Sequence, residues 1–299
     1  MTTTARGVLV SVGSSVCFGA VYFATPLLEP LSGEGVWAAR VLSTLPFVTA
    51  VLLLTRGWSL VAEIGRRIAR RPLLLAGVAL SGALLSAQLW LFGWAPLNGR
   101  GIAVALGYFL LPLALVIIGR FLYGDRMVWW QWAAAGIAAV GVAFEIVRVG
   151  FIGWETLLVA LGYPVYFVLR RSLGIGNLGG MWWEIAVAAP IAAVLIGIEV
   201  GTGSAFAENP ALWWSAPAFG LFAALALLLY LLASKMLPLS LFGLLSYVEP
   251  AMLVVASLLI GERIVAAELP AYLAIWLAVA VLLAGGAAEL LRSRRRDRY

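Results

Sequence analysis

From residue 7 to residue 291 the chain is one apolar stretch after another, each close to the ~20 residues an α-helix needs to cross a ~30 Å hydrocarbon core. The stretches fall at about 7–28, 35–55, 72–95, 101–121, 128–148, 151–170, 180–201, 211–234, 239–261 and 268–291. Almost nothing is left between them, so the chain has no spare length for a soluble nucleotide-driven domain, and any chemistry must take place among helices. Hydrophobic residues make up 64% of the chain and charged residues 11%, far from the ~45–50% apolar share of soluble domains. The expected fold is therefore an all-α polytopic membrane protein of ten transmembrane helices.

What is missing narrows the function. Histidine is absent, which removes imidazole metal ligands, bases and proton relays together. No phosphate loop, paired metal carboxylates or nucleophile elbow stands out. The expectation is a non-enzyme with no cofactor and no metal. Cys17 is the single cysteine, so no intrachain disulfide forms, and it reads as a small packing residue.

The net charge of +6 is placed by the membrane rather than by nucleic acid. With Arg6 on the cytoplasmic side and the faces alternating, the same side collects Arg56, Arg66, Arg67, Arg70, Arg71, Arg120, Arg126, Arg170, Arg171, Lys235 and the run from Arg292 to Arg298. Only Arg40, Arg100, Arg148 and Arg263 lie toward the other face. Such a bias orients a membrane protein with both termini cytoplasmic, here in the cytoplasmic (inner) membrane, and the basic tail 292–299 is read as an anchor against anionic lipid. The first stretch resembles a signal peptide, but without a clear cleavage site it reads as the first helix. Tryptophans such as Trp37, Trp58, Trp129, Trp154, Trp182 and Trp213 fall near predicted helix ends, where they read as an interfacial belt.

Two echoes divide the chain. Val21-Tyr22-Phe23 recurs as Val165-Tyr166-Phe167, and Tyr108 and Pro112 leading to Gly124-Asp125-Arg126 recur as Tyr247 and Pro250 leading to Gly261-Glu262-Arg263. They imply a first half over 1–149 and a second over 150–291. Five helices per half is an odd number, so the second half enters from the opposite side, as in the inverted repeats of secondary transporters. The Gly-acid-Arg ends read as helix stops with the glycine in the left-handed position.

Within this frame the polar residues at membrane depth become candidates. Glu249, directly before Pro250, interrupts an otherwise uncharged stretch; a carboxyl there costs ~2.5–3.5 kcal/mol on insertion scales and faces protein or water, while the proline frees backbone carbonyls nearby. Gln88 lines a cavity or bridges two helices. Tyr22, Tyr108, Tyr163, Tyr166 and Tyr247 offer aromatic walls with hydroxyls, or pack. Trp90 shares a face with Trp94 and is a wall or packing residue. Arg40 and Glu184, equivalent in the two halves, form a possible gate or snorkel to opposite faces.

The segment Leu237-Pro238-Leu239-Ser240-Leu241-Phe242-Gly243-Leu244-Leu245-Ser246-Tyr247-Val248-Glu249-Pro250, continuing to Gly261-Glu262-Arg263, resembles the ninth helix of RarD-like members of the drug/metabolite transporter superfamily. Gly107-Tyr108-Phe109 ahead of Pro112, and Trp94-Ala95 before it, are similar to that group's fourth helix. The resemblance implies ten helices in two EamA-type repeats and export or exchange of small metabolites or drugs. Leu111 replaces an asparagine usual in the group, and Leu97, Ala103 and Ala105 replace polar residues, so substrate contacts in helix 4 differ here. The expected function is a secondary transporter of a small amphipathic metabolite, an amino acid or a cationic one, with Glu249 available for proton coupling. The alternatives are a broad-specificity drug efflux permease and, from another class, a non-transporting membrane receptor. The chain acts as a monomer or homodimer.

Overall fold

A computed structural model describes residues 3–98, 100–150, 152–202, 204–252, 255 and 266–296. The helices are α1 (Thr3–Ala24), α2 (Gly33–Leu54), α3 (Trp58–Arg70), α4 (Leu73–Leu97), α5 (Gly101–Leu122), α6 (Trp129–Val149), α7 (Trp154–Ser172), α8 (Leu178–Thr202), α9 (Ser204–Glu208), α10 (Leu212–Met236), α11 (Leu239–Leu245) and α12 (Leu269–Arg296). Residues 248–252 are helical again after a turn at Ser246 and Tyr247. Among the described residues there is no strand, as expected where every backbone group must be satisfied within its own segment.

By length and composition α1, α2, α4, α6, α8 and α10 carry spans sufficient to cross a membrane, and Leu106–Leu122, Leu239–Met252 and Leu269–Gly285 are shorter apolar helices. Helix α7 stands apart from both groups because it carries Glu155, Arg170 and Arg171 at its ends. Its position explains this composition: Val159, Ala160, Tyr163, Tyr166 and Phe167 are buried, so much of its surface meets neighbouring helices. Residues 253, 254 and 256–261 of the predicted stretch 239–261, with the motif Gly261-Glu262-Arg263, lie outside the described residues.

The chief packing pairs are α1 with α10, α4 with α7, α2 with α8, α2 with α10, α4 with α8, α2 with α4, α5 with α7, α5 with α11 and α6 with α12, with a smaller contact between α1 and α11. Close approach is achieved with small residues. A Cβ on Gly243 of α11 would stand 2.6 Å from Leu115 Cβ and 3.0 Å from Pro112 O of α5, and one on Gly107 of α5 would stand 2.7 Å from Val159 Cβ of α7. Bilayer helices associate through such close contact because lipid supplies no hydrophobic drive between them.

Two local structures differ from the sequence reading. Helix α3 was not predicted; Val61 and Ile64 are buried on one face while arginines lie on the other, and it packs on α8. The tryptophans divide: Trp129, Trp154 and Trp213 are exposed as a belt requires, whereas Trp37 is buried at 6% exposure in the main core. Gly124 does adopt the left-handed conformation, φ +67, that ends α5. Asp125 then accepts the Ser240 N–H at 2.9 Å, placing a carboxylate at the start of α11, where the helix dipole favours it.

Candidate functional site

The site is built where the helix containing Glu249 breaks. Ser246 N bonds Phe242 O and Gly243 O, Tyr247 N bonds Leu244 O at 3.2 Å, and Glu249 N bonds Ser246 O at 3.1 Å. These tightened i to i−3 bonds arise where Pro250 has no N–H to continue the α-helical ladder. Tyr247 pins the break: its ring is fully buried and its hydroxyl donates to Phe109 O of α5 at 3.0 Å. Proline and tyrosine thus hold the backbone on either side of the acid, and Pro250 is itself buried.

Glu249 is 7% exposed and Arg40, on α2, is 3% exposed. Each lies within electrostatic reach of the other, but they form no ion pair, and neither side chain makes a hydrogen bond with a described residue. The Arg40 guanidinium lies 5.8 Å from the centroid of the Phe92 ring, a cation–π position. Tyr108 and Tyr163 lie within electrostatic reach of both charges, and Tyr230 of α10 within reach of Glu249. Ring contacts knit the layer: Tyr108 to Tyr163 at 6.4 Å, Tyr163 to Tyr230 at 6.2 Å, Phe92 to Tyr108 at 6.1 Å and Tyr22 to Phe92 at 6.0 Å. Glu249, Arg40, Tyr108, Tyr163 and, at its edge, Tyr22 therefore come together around Phe92 and Tyr230. Sequence reading passed over those last two; the signal for Tyr230 was a lone phenol in an otherwise apolar span.

The remaining candidates lie elsewhere. Glu184 joins Arg170 in a buried pair, Nε to Oε1 3.2 Å, and also accepts from the Ser81 hydroxyl and from Tyr166 at 3.3 Å. Arg170 in turn donates to Ile175 O and Asn177 O. Glu184 and Tyr166 are thus tied into the α7–α8 turn, while Arg40 and Tyr22 sit in the aromatic layer. Gln88 bridges helices by donating Nε2 to Leu158 O at 2.7 Å, and its Oε1 is buried without a partner. Trp90 stacks on Trp94 at 5.1 Å and donates to Glu34 at 3.0 Å.

A cavity of about 680 Å³ opens at the end of the bundle formed by the loops after α5, α7 and α10, lined by Tyr123, Arg170, Arg171, Asn177, Lys235 and Phe167 among others. Phe167 also belongs to the aromatic layer, with its ring 5.8 Å from Tyr230 and 5.3 Å from Phe242. The opposite end is bridged by Arg100 with Glu155, by Arg148 with Glu145 and Glu268, and by Ser32 with Glu199. Among the described residues no cluster of His, Cys, Asp or Glu has the composition of a metal site.

Relatives give this architecture a family. No protein-family model matches the chain. It is 40% identical over 297 residues to the Chloramphenicol-sensitive protein RarD of Pseudomonas aeruginosa, covering 99% of both chains. It is 35% identical over 287 residues to an uncharacterised transporter of Pasteurella multocida, covering 96% of this chain and 98% of the other. An uncharacterised transporter of Haemophilus influenzae is 35% identical over 281 residues. A solved structure, titled only as a protein, superposes with a TM-score of 0.63 at 19% identity over 97% of this chain and 98% of that one, and so supports the fold. Near-full-length identity at this level, on an all-helical bundle with apolar spans, makes the chain a member of the RarD-like transporter family.

Proposed function

We propose that the chain is a secondary active transporter that exports or exchanges a small amphipathic metabolite by alternating access across the cytoplasmic membrane. In this reading ten helices form two inverted five-helix EamA-type repeats, with both termini cytoplasmic. The packing pattern supports the repeat. If α1, α2, α4, α5 and α6 correspond to α7, α8, α10, α11 and α12, then the pair α1–α10 maps onto α7–α4, α2–α10 onto α8–α4, and α5–α7 onto α11–α1, while α2–α4 has no comparable α8–α10 contact among the described residues. The pairs α2–α8, α5–α11 and α6–α12 map onto themselves, as contacts across a pseudo-two-fold axis must.

The observation that carries the function is the buried Glu249 at a helix break, without an ion pair among the described residues, near Arg40 and beside an aromatic layer whose Phe167 also lines a cavity open at one end. Such a break with an ionisable group inside a membrane bundle is how transporter folds build a substrate or ion site. A proton and a cationic group compete for one carboxylate, so protonating Glu249 releases a bound cation and binding the cation expels the proton. This gives exchange without a second ion site. The test is Glu249→Gln in proteoliposomes: the variant is expected to fold but to lose transport or its response to a pH gradient, and wild-type flux with wild-type pH response would sink the proposal.

A drug-efflux reading draws on the aromatic layer and on a relative named for chloramphenicol. Resistance to a broad panel of toxic compounds on expression, retained in Glu249→Gln, would favour it.

A further inference from the structure

The cavity at the end of the bundle, about 680 Å³, has the size of a small-ligand site, and its charges do not balance. Arg170, Arg171 and Lys235 line it, against Asp125, the acid among its described lining residues. Arg170 is answered by Glu184, Nε to Oε1 3.2 Å, and Asp125 is engaged by the Ser240 N–H at 2.9 Å. Arg171 and Lys235 stand in the last turns of two separate helices, α7 and α10. Neither has an ion pair or a side-chain hydrogen bond among the described residues. Two such cations on one cavity repel, and one anion answers both. Arg171 lies over Tyr123, its guanidinium carbon 4.0 Å from the ring centroid, a position that leaves the in-plane fork of N–H donors available to an oxyanion. Asn177 adds a donor: its Oδ1 accepts the Gly180 N–H at 3.0 Å, while its Nδ2 is bonded to no described residue. A fork, an ammonium and an amide together suit the several acceptor oxygens of a phosphate group. The adjoining surface indicates its source. Phe121 and Leu122, directly before Tyr123 at the end of α5, are 82% and 59% exposed, an apolar shelf that a free anion has no use for and that acyl chains cover.

We infer that this cavity binds the phosphate of an anionic phospholipid headgroup, held by Arg171 and Lys235 with Asn177 as a further donor, while the acyl chains run over Phe121 and Leu122. A zwitterionic lipid brings its own cation into a cavity that already has a surplus of them, so the site selects headgroups of net negative charge. The bound headgroup ties the end of α7 to the end of α10. The inference concerns binding alone and does not depend on the transporter reading.

The experiment uses the purified full-length chain in uncharged detergent and phosphate-free buffer, carrying Cys17→Ala and Ser234→Cys so that maleimide labelling reports on the cavity lining. Three probes are added: dioctanoyl phosphatidylglycerol, dioctanoyl phosphatidylcholine, which has the phosphate but no net charge, and glycerol 3-phosphate, which has the charge but no acyl chains. Phosphatidylglycerol is expected to slow labelling and raise thermal stability at concentrations where the other two do neither. Arg171→Gln and Lys235→Gln, both at exposed positions, are each expected to raise the half-maximal concentration roughly ten-fold. Arg70→Gln, which removes an exposed cation of α3 outside the cavity, is expected to leave it unchanged. Should one lining variant fail to fold, the other variant and the ranking of the three probes decide the matter. An equal loss in Arg70→Gln means diffuse attraction to a basic surface and overturns the inference. An equal effect of phosphatidylcholine, or stabilisation by phosphatidylglycerol without slower labelling, overturns it too. If glycerol 3-phosphate acts as strongly as the lipid, the occupant is a soluble phosphate and the lipid assignment falls.

Discussion

At the scale of single residues, the same amino-acid type serves opposite ends in this bundle, and its neighbours decide which. Glu184 is the acid whose needs are already met, by Arg170, Ser81 and Tyr166. Removing one partner of a buried pair leaves an uncompensated charge, at a cost of about 3–5 kcal/mol, while replacing both by apolar groups of similar volume costs far less. Glu184→Ala is accordingly expected to lower thermal stability sharply in detergent, and Glu184→Leu combined with Arg170→Leu to recover most of it. A small effect of the single change, or no recovery in the double, would mean that the pair is not what holds the α7–α8 turn. Glu249→Gln should behave differently, since Glu249 has no direct ion-pair partner to strand. The sequence made Glu249 visible because a carboxylate in an uncharged stretch needs no three-dimensional knowledge to be noticed. It could not assign Arg170 to Glu184, because Arg170 fits the basic bias of its loop equally well, and the bond is made only when the short turn folds α8 back along α7. The coming together of Arg40 and Glu249, far apart in the chain, was likewise beyond reach, since no local pattern encodes that contact.

Among the elements, the helix boundaries were the most legible part of the chain, because the apolar stretches, their lengths and the intervening charges are set directly by the bilayer. Helix α3 was missed although Val61 and Ile64 are spaced for one face; a search for stretches that cross the membrane passes over a basic amphipathic helix, whose composition suits an interface. The break at Ser246 and Tyr247 was foreshadowed by Pro250 but not located, since a proline removes a bond without fixing where the slack is taken up. What holds the broken element in place is its crossing with α5. Gly243 admits the α5 backbone so closely that even one methyl would stand 3.0 Å from Pro112 O and 2.6 Å from Leu115 Cβ. Overpacking of this kind costs about 1–3 kcal/mol, and here it would also lever the break, with Glu249, away from α5. Gly243→Ala is expected to lower thermal stability and to weaken ligand binding together, whereas Gly136→Ala, at a position with open space around it, should change neither. Binding unaltered in a destabilised Gly243→Ala would separate the crossing from the site.

For the whole molecule, the asymmetry between the two ends is the feature with mechanistic content. On the proposed two-repeat reading the bundle has two equivalent ways to lean, and a cavity at one end with bridges at the other corresponds to one of them. Two short echoes in the sequence suggest the repeat, but which end stands open depends on the relative energies of two packings that share one sequence, and composition is silent on that. The bridge between Arg100 and Glu155 spans the closed end, above Ala103, which is 3% exposed, while Ser234 lines the open cavity. With Cys17→Ala as background, Ser234→Cys is expected to react readily with a hydrophilic maleimide and Ala103→Cys to be protected. Adding Arg100→Gln removes the bridge, and the argument from two exclusive packings then requires a reciprocal change: faster labelling at Ala103→Cys and slower labelling at Ser234→Cys. The size of the shift is bounded by what the bridge contributes, and because Arg100 is exposed to solvent screening the ratio of the two rates changes by roughly five-fold at most. If Arg100→Gln raised labelling at Ala103→Cys while leaving Ser234→Cys unchanged, the bridge would be a local clasp and the two ends would open independently. Alternating access by rocking of the halves would then have no support from this bundle, whatever the fate of the substrate site at its centre.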